Sequence, residues 1–190
     1  VSVTTTLNNS YGSKVFVEEG GFFLNNEMDD FSSKPGHPNF YGLIGSEANS
    51  IQPGKRMLSS MTPSIILKDS KPSLIVGTPG GSTIITSVLQ TILNVYEFDL
   101  SVQEAVNAPR FHHQWLPDVV IFEEGIINKE KDSILKSKSY FVISLPIEVD
   151  TGGMTARSSI GAVDAILIDE EGKVSTGADF RGDDYGEILK

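Results

Sequence analysis

The sequence contains no cysteine, which excludes disulfides and thiolate chemistry and leaves the redox compartment open. Histidine is scarce too, and three of them with no cysteine do not make a structural zinc site. Positive charge is in deficit: 15 Lys and Arg against 25 Asp and Glu leave a net charge of −10. Such a chain repels the phosphates of nucleic acid rather than neutralising them. No apolar run approaches the length of a membrane span, and no basic amphipathic helix suits a lipid surface. What is present is ordinary for a globular protein: 190 residues, 39% of them hydrophobic, fit one domain or one subunit over residues 1–190 with a sizeable core. The opening Val1-Ser2-Val3 reads as a strand already in progress, and suggests a piece of a longer polypeptide.

Hydrophobic periodicity supplies the element order. Val1 to Leu7 is β-branched and alternating, and reads as a strand. Lys14 to Val17 and Gly21 to Leu24 read as short strands around Glu18-Glu19-Gly20. Ser33 to Gly54, punctuated by Pro35, Pro38 and Pro53 and by several glycines, is a long loop of the kind that carries function. Ser64–Lys68 and Ser73–Val76 form a hairpin whose near-continuous apolar character predicts a sheet covered on its faces. Ile84, Ile85, Val88, Leu89, Ile92 and Leu93 recur at helical spacing and predict one wide core face. Ser101-Val102-Gln103-Glu104 is a capping box, and the helix it opens should stop before Pro109. Beyond it come a strand at 119–122, a surface helix at 129–138, a strand at 140–145, a flexible loop at 151–155, and paired strands near 161–168 and 173–175. This order suits sheets with helices packed on their outer faces, an α+β layered architecture.

Three stretches carry chemistry. In Gly77-Thr78-Pro79-Gly80-Gly81-Ser82, adjacent glycines join an apolar strand to a helix. Such a turn lets backbone approach a ligand closely, and the helix N-terminus leaves unpaired N–H groups and partial positive charge. That suits an anion, either a phosphate or the oxyanion of an acyl-transfer intermediate; the plainer reading is a tight turn with a serine N-cap. In Asn25-Asn26-Glu27-Met28-Asp29-Asp30, amides and carboxylates crowd together. They make either a solvated acidic loop or a cradle for a cation, a metal or a substrate ammonium, but without the spacing and glycine of a calcium loop. Ser59-Ser60 offers hydroxyls to a carboxylate, or caps its own turn. Adjacent His112 and His113 lack metal spacing and read as packed, hydrogen-bonded residues, and Arg181-Gly182-Asp183 matches an adhesion tripeptide by coincidence.

Taken together, Leu24-Asn25-Asn26-Glu27-Met28-Asp29-Asp30-Phe31-Ser32, Leu58-Ser59-Ser60-Met61-Thr62-Pro63 and Pro79-Gly80-Gly81-Ser82, in that order, resemble the small subunit of gamma-glutamyltranspeptidases. The segment from Asn107 to Asp118 resembles it as well, so the likeness runs from Val1 to about Asp118 and then thins. It implies an N-terminal-nucleophile hydrolase fold, a four-layer αββα sandwich, of which this chain is the small-subunit portion.

The resemblance further implies a precursor that cleaves itself into two subunits, freeing a threonine that attacks gamma-glutamyl amides such as glutathione. The glutamyl group then passes to water or to an amino acid or peptide acceptor. On the matching positions, Gly80 and Gly81 supply the oxyanion hole, Ser59 and Ser60 hold the glutamyl α-carboxylate, Asn8, Glu27 and Asp30 hold its α-ammonium, and Thr6 tunes the nucleophile. The family's threonine lies upstream of the position that matches Val1, so the chain as given is expected to lack the nucleophile and to be inactive alone. It is also expected to need the large subunit as partner and to expose apolar surface without it. No metal or organic cofactor is implied, and the family suggests a periplasmic or secreted parent. Alternatives are a related acylase or poly-gamma-glutamate depolymerase, or a non-catalytic glutamyl-binding or structural module.

Overall fold

A computed structural model describes residues 1–145, 148–150, 155–157 and 160–188, with backbone alone for 148–150 and 155–157. The loop expected at Thr151 to Met154 lies outside the described residues. The chain divides into two compact units, Thr4–Met61 and Val1–Val3 with Thr62–Lys190.

The Thr4–Met61 unit has little regular structure. Its ladder is the antiparallel pair β1 (Phe16–Val17) and β2 (Phe22–Phe23), with Phe16 opposite Phe23. Phe23 also meets Tyr11 edge-on at 5.4 Å between ring centroids. Short 3-10 turns follow at Glu27–Asp30 and Glu47–Asn49. Asparagines organise the rest: Asn39 Oδ1 accepts from the N–H groups of Tyr41 and Leu43, closing the loop between them. The strand expected at Val1 to Leu7 is not formed. Its residues alternate between exposed and half-buried, as extended chain does, but no neighbour among the described residues completes a ladder, and β propensity becomes a strand only where an edge is paired.

In the larger unit, β3 (Ser64–Lys68) and β4 (Lys71–Gly77) form the expected hairpin. Asp69 and Ser70 both take positive φ at its two-residue turn, 50° and 64°. Two helices follow, α1 (Ile84–Tyr96) and α2 (Val102–Asn107). The capping box of α2 is made in full: Ser101 Oγ accepts from the Glu104 N–H, and the Glu104 carboxylate accepts from the Ser101 N–H. Next come β5 (Phe111–His112), β6 (Val120–Glu123), α3 (Lys129–Ser137) and β7 (Val142–Leu145). Strand β6 pairs antiparallel with β5 and parallel with β7, and α3 makes the crossover that a parallel pair needs. A small hairpin, β8 (Glu148–Asp150) with β9 (Thr155–Arg157), precedes β10 (Asp164–Ile168) and β11 (Val174–Ala178). The central sheet is antiparallel in the order β11-β10-β4-β3.

Helices cover one face of that sheet. Leu74, Val76 and Ala165 from the strands, Val88 and Val95 from α1, and Val102, Ala105 and Val106 from α2 form one buried cluster. Gly177 on β11 lets α2 approach, since a Cβ there would fall 2.7 Å from the Val102 carbonyl oxygen. The other face is not covered: Ile65, Ile75 and Ile166 lie in one cross-strand row, with Ile65 49% and Ile166 38% exposed. Near-continuous apolar strands therefore do not mean two-sided burial among the described residues.

Helix α1 corrects a second expectation. Its buried arc runs through Ile84, Ser87, Val88, Thr91 and Val95, whereas Ile85 is 65% and Leu89 51% exposed. Two hydroxyls can face inward because each finds an acceptor: Ser87 Oγ donates to Thr83 O, and Thr91 Oγ1 donates to Ser87 O.

At the back of this core lies a buried ionic quartet. Arg110 pairs with Asp179 at 2.5 Å, while Arg181 pairs with Glu123 at 2.6 Å and with Asp179 at 2.8 Å. Backbone groups take up the remaining capacity. Arg110 donates to the carbonyls of Ile160 and Val106, and Asp179 accepts from the Val163 N–H. Burial pushes the Asp179 carboxyl up, but Arg110 and the N–H groups of Val163 and Arg181 outweigh it and hold it below the usual range. Arg181 belongs to this quartet, so the arginine of the adhesion-like tripeptide is interior architecture.

Two predictions follow from these charges. Arg181→Ala leaves Glu123 in the interior without its cation, and Asp179 with Arg110 alone, and is expected to cost about 3–5 kcal/mol, read as a fall in the urea midpoint of the full-length protein. Asp164 behaves oppositely: burial first, then Asp184 and Asp179, raise its carboxyl from 3.8 to about 6. Folding thus favours its protonated form, so that stabilisation is complete below 3.8 and is lost as pH rises through about 6. Asp164→Asn should raise the melting temperature at pH 7.5, with the gain shrinking toward pH 4.

Candidate active site

In the Thr4–Met61 unit the predicted residues converge through a small set of hydrogen bonds. The backbone turns at Asn8, which has a φ of 72°. Thr6 Oγ1 accepts from the Asn8 N–H at 2.7 Å, fixing the turn from its first side. From the other side Asn8 Nδ2 donates to Asn26 O, the Asn9 N–H donates to Asn26 Oδ1, and the Asn26 N–H donates to Leu7 O. Asn26 immediately precedes Glu27–Asp30, so Thr6 and Asn8 are brought to the acidic turn. Asn25 Oδ1 accepts from the Glu27 N–H and starts that turn.

The carboxylates differ in their surroundings. Asp30 Oδ2 accepts from Ser60 Oγ at 2.8 Å. Glu27 is half-buried, and its Oε1 is covered without a hydrogen-bond partner among the described residues. Burial, and then the charge of Asp30, raise the Glu27 carboxyl above its ordinary value. A nearby cation relieves both effects by restoring a partner to the ionised form.

Of the two serines, only Ser60 joins this cluster. Ser59 is exposed, and its hydroxyl closes its own turn with Met61 O at 3.3 Å.

The motifs did not reveal two further members of the cluster. Asn49 Nδ2 donates to Asp30 O at 2.7 Å, while its Oδ1 accepts from the Leu58 N–H at 3.0 Å. One side chain thereby ties the acidic turn to the irregular segment that carries the serine pair. Tyr41 sets its hydroxyl 3.4 Å from Asn8 O. Burial, then Asp30 and Asp29, push that phenol up. Both residues lie in the long Pro/Gly-punctuated loop, and the length of that loop was the one sequence signal pointing to them.

In the other unit, Gly80 and Gly81 take φ of 140° and 58°. A single 3-10 turn, Gly81–Thr83, comes between them and α1. Ser82 is not the cap; Thr83 makes the closing bonds, its N–H and its Oγ1 both donating to Gly80 O. Among the described residues the Gly80 and Gly81 N–H groups donate to no protein acceptor, which is what an anion-binding turn requires. His112 and His113 are packed as expected: His112 bonds Thr86 and Gln114, and His113 bonds Asp118. Among the described residues no group of three or more His, Asp or Glu side chains is arranged to hold a metal ion.

A family model described as gamma-glutamyltranspeptidase matches residues 1–189. The glutathione hydrolase proenzyme of Escherichia coli K12 is 44% identical over 184 residues, which cover 97% of this chain and 30% of that protein. The chain thus spans about a third of the length of the curated relatives it matches. Among solved structures, the T380A mutant of Helicobacter pylori gamma-glutamyltranspeptidase gives a TM-score of 0.84 at 45% identity, covering 96% of this chain and 93% of that one. The Pseudomonas nitroreducens gamma-glutamyltranspeptidase complexed with L-DON gives 0.86 at 44% identity, covering 100% and 93%. The fold is the α+β, N-terminal-nucleophile hydrolase type of these structures. On the extent of the match and the identity over nearly the whole chain, the protein belongs to the gamma-glutamyltranspeptidase family.

Proposed function

We propose that this chain supplies the glutamyl-recognition cluster and the oxyanion turn of an enzyme that cleaves gamma-glutamyl amides such as glutathione. The observation that carries this reading is the Ser60–Asp30 hydrogen bond, next to a half-buried Glu27 with one unpartnered oxygen. Carboxylates for an ammonium, set directly beside hydroxyls for a carboxylate, are the two halves needed to grip the head of an α-amino acid. Asn8, Glu27 and Asp30 take the ammonium, and Ser59 and Ser60 take the carboxylate. The Gly80–Gly81 N–H groups stabilise charge on the carbonyl oxygen as it becomes tetrahedral. Thr6, which holds the turn at Asn8, tunes the nucleophile. The acyl group bound to the enzyme's threonine then passes to water or to an amino acid or peptide.

The proposal extends to the chain's partner. Open apolar rows at Ile65 and Ile166 on the sheet and at Ile85 and Leu89 on α1 support a large subunit that covers them. The relative from Escherichia coli is named a proenzyme, which supports maturation of a common precursor into the two subunits.

The reading is tested with the full-length precursor and a gamma-glutamyl anilide. Self-cleavage on a gel with release of the chromophore is the expected outcome; a precursor that does neither removes the enzymatic assignment. Glu27→Gln should raise KM at neutral pH about 10–100-fold, the worth of a hydrogen bond to a charged group, with a smaller effect on kcat. In the unaltered enzyme KM should rise as pH falls through the elevated Glu27 value, because protonation removes the charge that holds the ammonium, and Glu27→Gln should flatten that rise.

A further inference from the structure

The turn at Gly80–Gly81 is held from behind by hydroxyls, and their placement has a consequence for the two N–H groups. A trans peptide is planar, with its C=O and N–H pointing in opposite directions. Fixing a carbonyl therefore aims the N–H of the following residue. The carbonyl sharing a peptide with the Gly80 N–H is that of Pro79, and Thr78 Oγ1 donates to it at 2.7 Å. The carbonyl sharing a peptide with the Gly81 N–H is that of Gly80, and Thr83 Oγ1 donates to it at 2.8 Å, with the Thr83 N–H at 3.1 Å. Each of the two N–H donors thus has its own threonine gripping the opposite end of its peptide plane.

A second layer keeps the threonines in place. Thr78 is 2% exposed, and its Oγ1 also accepts from the Ala162 N–H at 2.9 Å, which fixes the direction of its single proton toward Pro79. Gly161 lies against the turn with a φ of 73°. A Cβ on Gly161 would fall 2.8 Å from both Thr78 Oγ1 and Ser87 Oγ, and one on Gly80 would fall 3.2 Å from Gly161 Cα. Glycine meets glycine there because neither side has room for a carbon atom. The segment behind them is fastened by the buried quartet: the Ile160 N–H donates to Glu123 Oε1, Ile160 O accepts from Arg110 and Ser87, and the Val163 N–H donates to Asp179.

We infer that Thr78 and Thr83 are positioning residues that aim the Gly80 and Gly81 N–H groups at a developing oxyanion, with Ile160–Gly161–Ala162 as their backstop. This rests on the reading of the Gly80–Gly81 turn as the oxyanion site. The threonines touch no reacting atom; they reduce the reorientation that the two peptide planes would otherwise undergo in the transition state.

The experiment uses the full-length processed enzyme and compares Thr78→Val and Thr83→Val with Thr78→Ser and Thr83→Ser. The probes are a gamma-glutamyl anilide, free L-glutamate, and a boronate analogue of the gamma-glutamyl group, which becomes tetrahedral and anionic on binding. Thr78→Val should lower kcat about 10–100-fold, less than or equal to the loss of a whole oxyanion donor, with KM and glutamate affinity within about twofold. Thr83→Val, which keeps the backbone bond to Gly80 O, should lower kcat about 3–10-fold. Both should lose boronate affinity by the same factors, and both serine variants should recover most of kcat.

The outcomes separate the inference from the reading beneath it. If the unaltered enzyme binds the boronate no more tightly than glutamate, the oxyanion assignment of the turn fails and the inference goes with it. If the unaltered enzyme prefers the boronate and the valine variants keep that preference and their kcat, the positioning role alone is overturned. A Thr78→Val enzyme too unstable to assay leaves Thr83→Val, a half-exposed position, to decide between these results.

Discussion

The quartet of Arg110, Glu123, Asp179 and Arg181 is the constraint on which the larger unit depends. Its members come from the end of α2, from β6 and from the segment after β11, and their partners include the carbonyls of Val106 and Ile160 and the N–H of Val163. A fully desolvated charge tolerates little misplacement, because an unmade bond there costs the whole desolvation of the group. Elements that the apolar core would allow to slide are thereby fixed in register. The quartet need not add net stability over a well-packed apolar replacement. What it supplies is geometry, and the Ile160–Val163 segment is where that geometry is delivered to the glycine turn.

Across the glycine turn the same economy of short polar side chains recurs. Thr78, Thr83, Ser87 and Thr91 all donate to carbonyls within one turn of chain or on the facing segment. Such bonds weaken regular helix slightly, and α1 is entered from the glycines through a 3-10 turn. In exchange they hold two N–H groups with no acceptor among the described residues, a condition a regular helix interior does not permit.

The Thr4–Met61 unit solves a different problem with the same kind of bonds. It has hardly any ladder and few fully buried apolar side chains, so asparagine side chains replace sheet neighbours as partners for backbone groups. Charge then accumulates where burial is only partial, and the elevated Glu27 carboxyl reflects first that burial and then the neighbouring charge of Asp30. A carboxylate raised by burial and by like charge is suited to receive a cation.

Much of this was legible along the chain, because it depends on local chemistry. The capping box at Ser101–Glu104, the hairpin around Asp69, and the turn at Gly80–Gly81 are set by residues within a few positions of one another; the box formed as read, the hairpin with its turn shortened to Asp69-Ser70, and the glycine turn with Thr83 in place of Ser82 closing it. The motifs at Glu27–Asp30, Ser59–Ser60 and Pro79–Ser82 carried the family for the same reason: each is a short run of contiguous residues. The burial of α1 and of the central sheet was not legible. Periodicity reports that Ile85, Leu89 and Ile65 lie on a face but not whether anything packs there, and tertiary contacts instead buried Ser87 and Thr91. Nor could spacing reveal that Asn49 bonds Asp30, or that Arg110 and Arg181 meet Asp179. Hydrogen bonds and ion pairs between distant residues depend on where the folded backbone brings their atoms, and that is decided only in three dimensions.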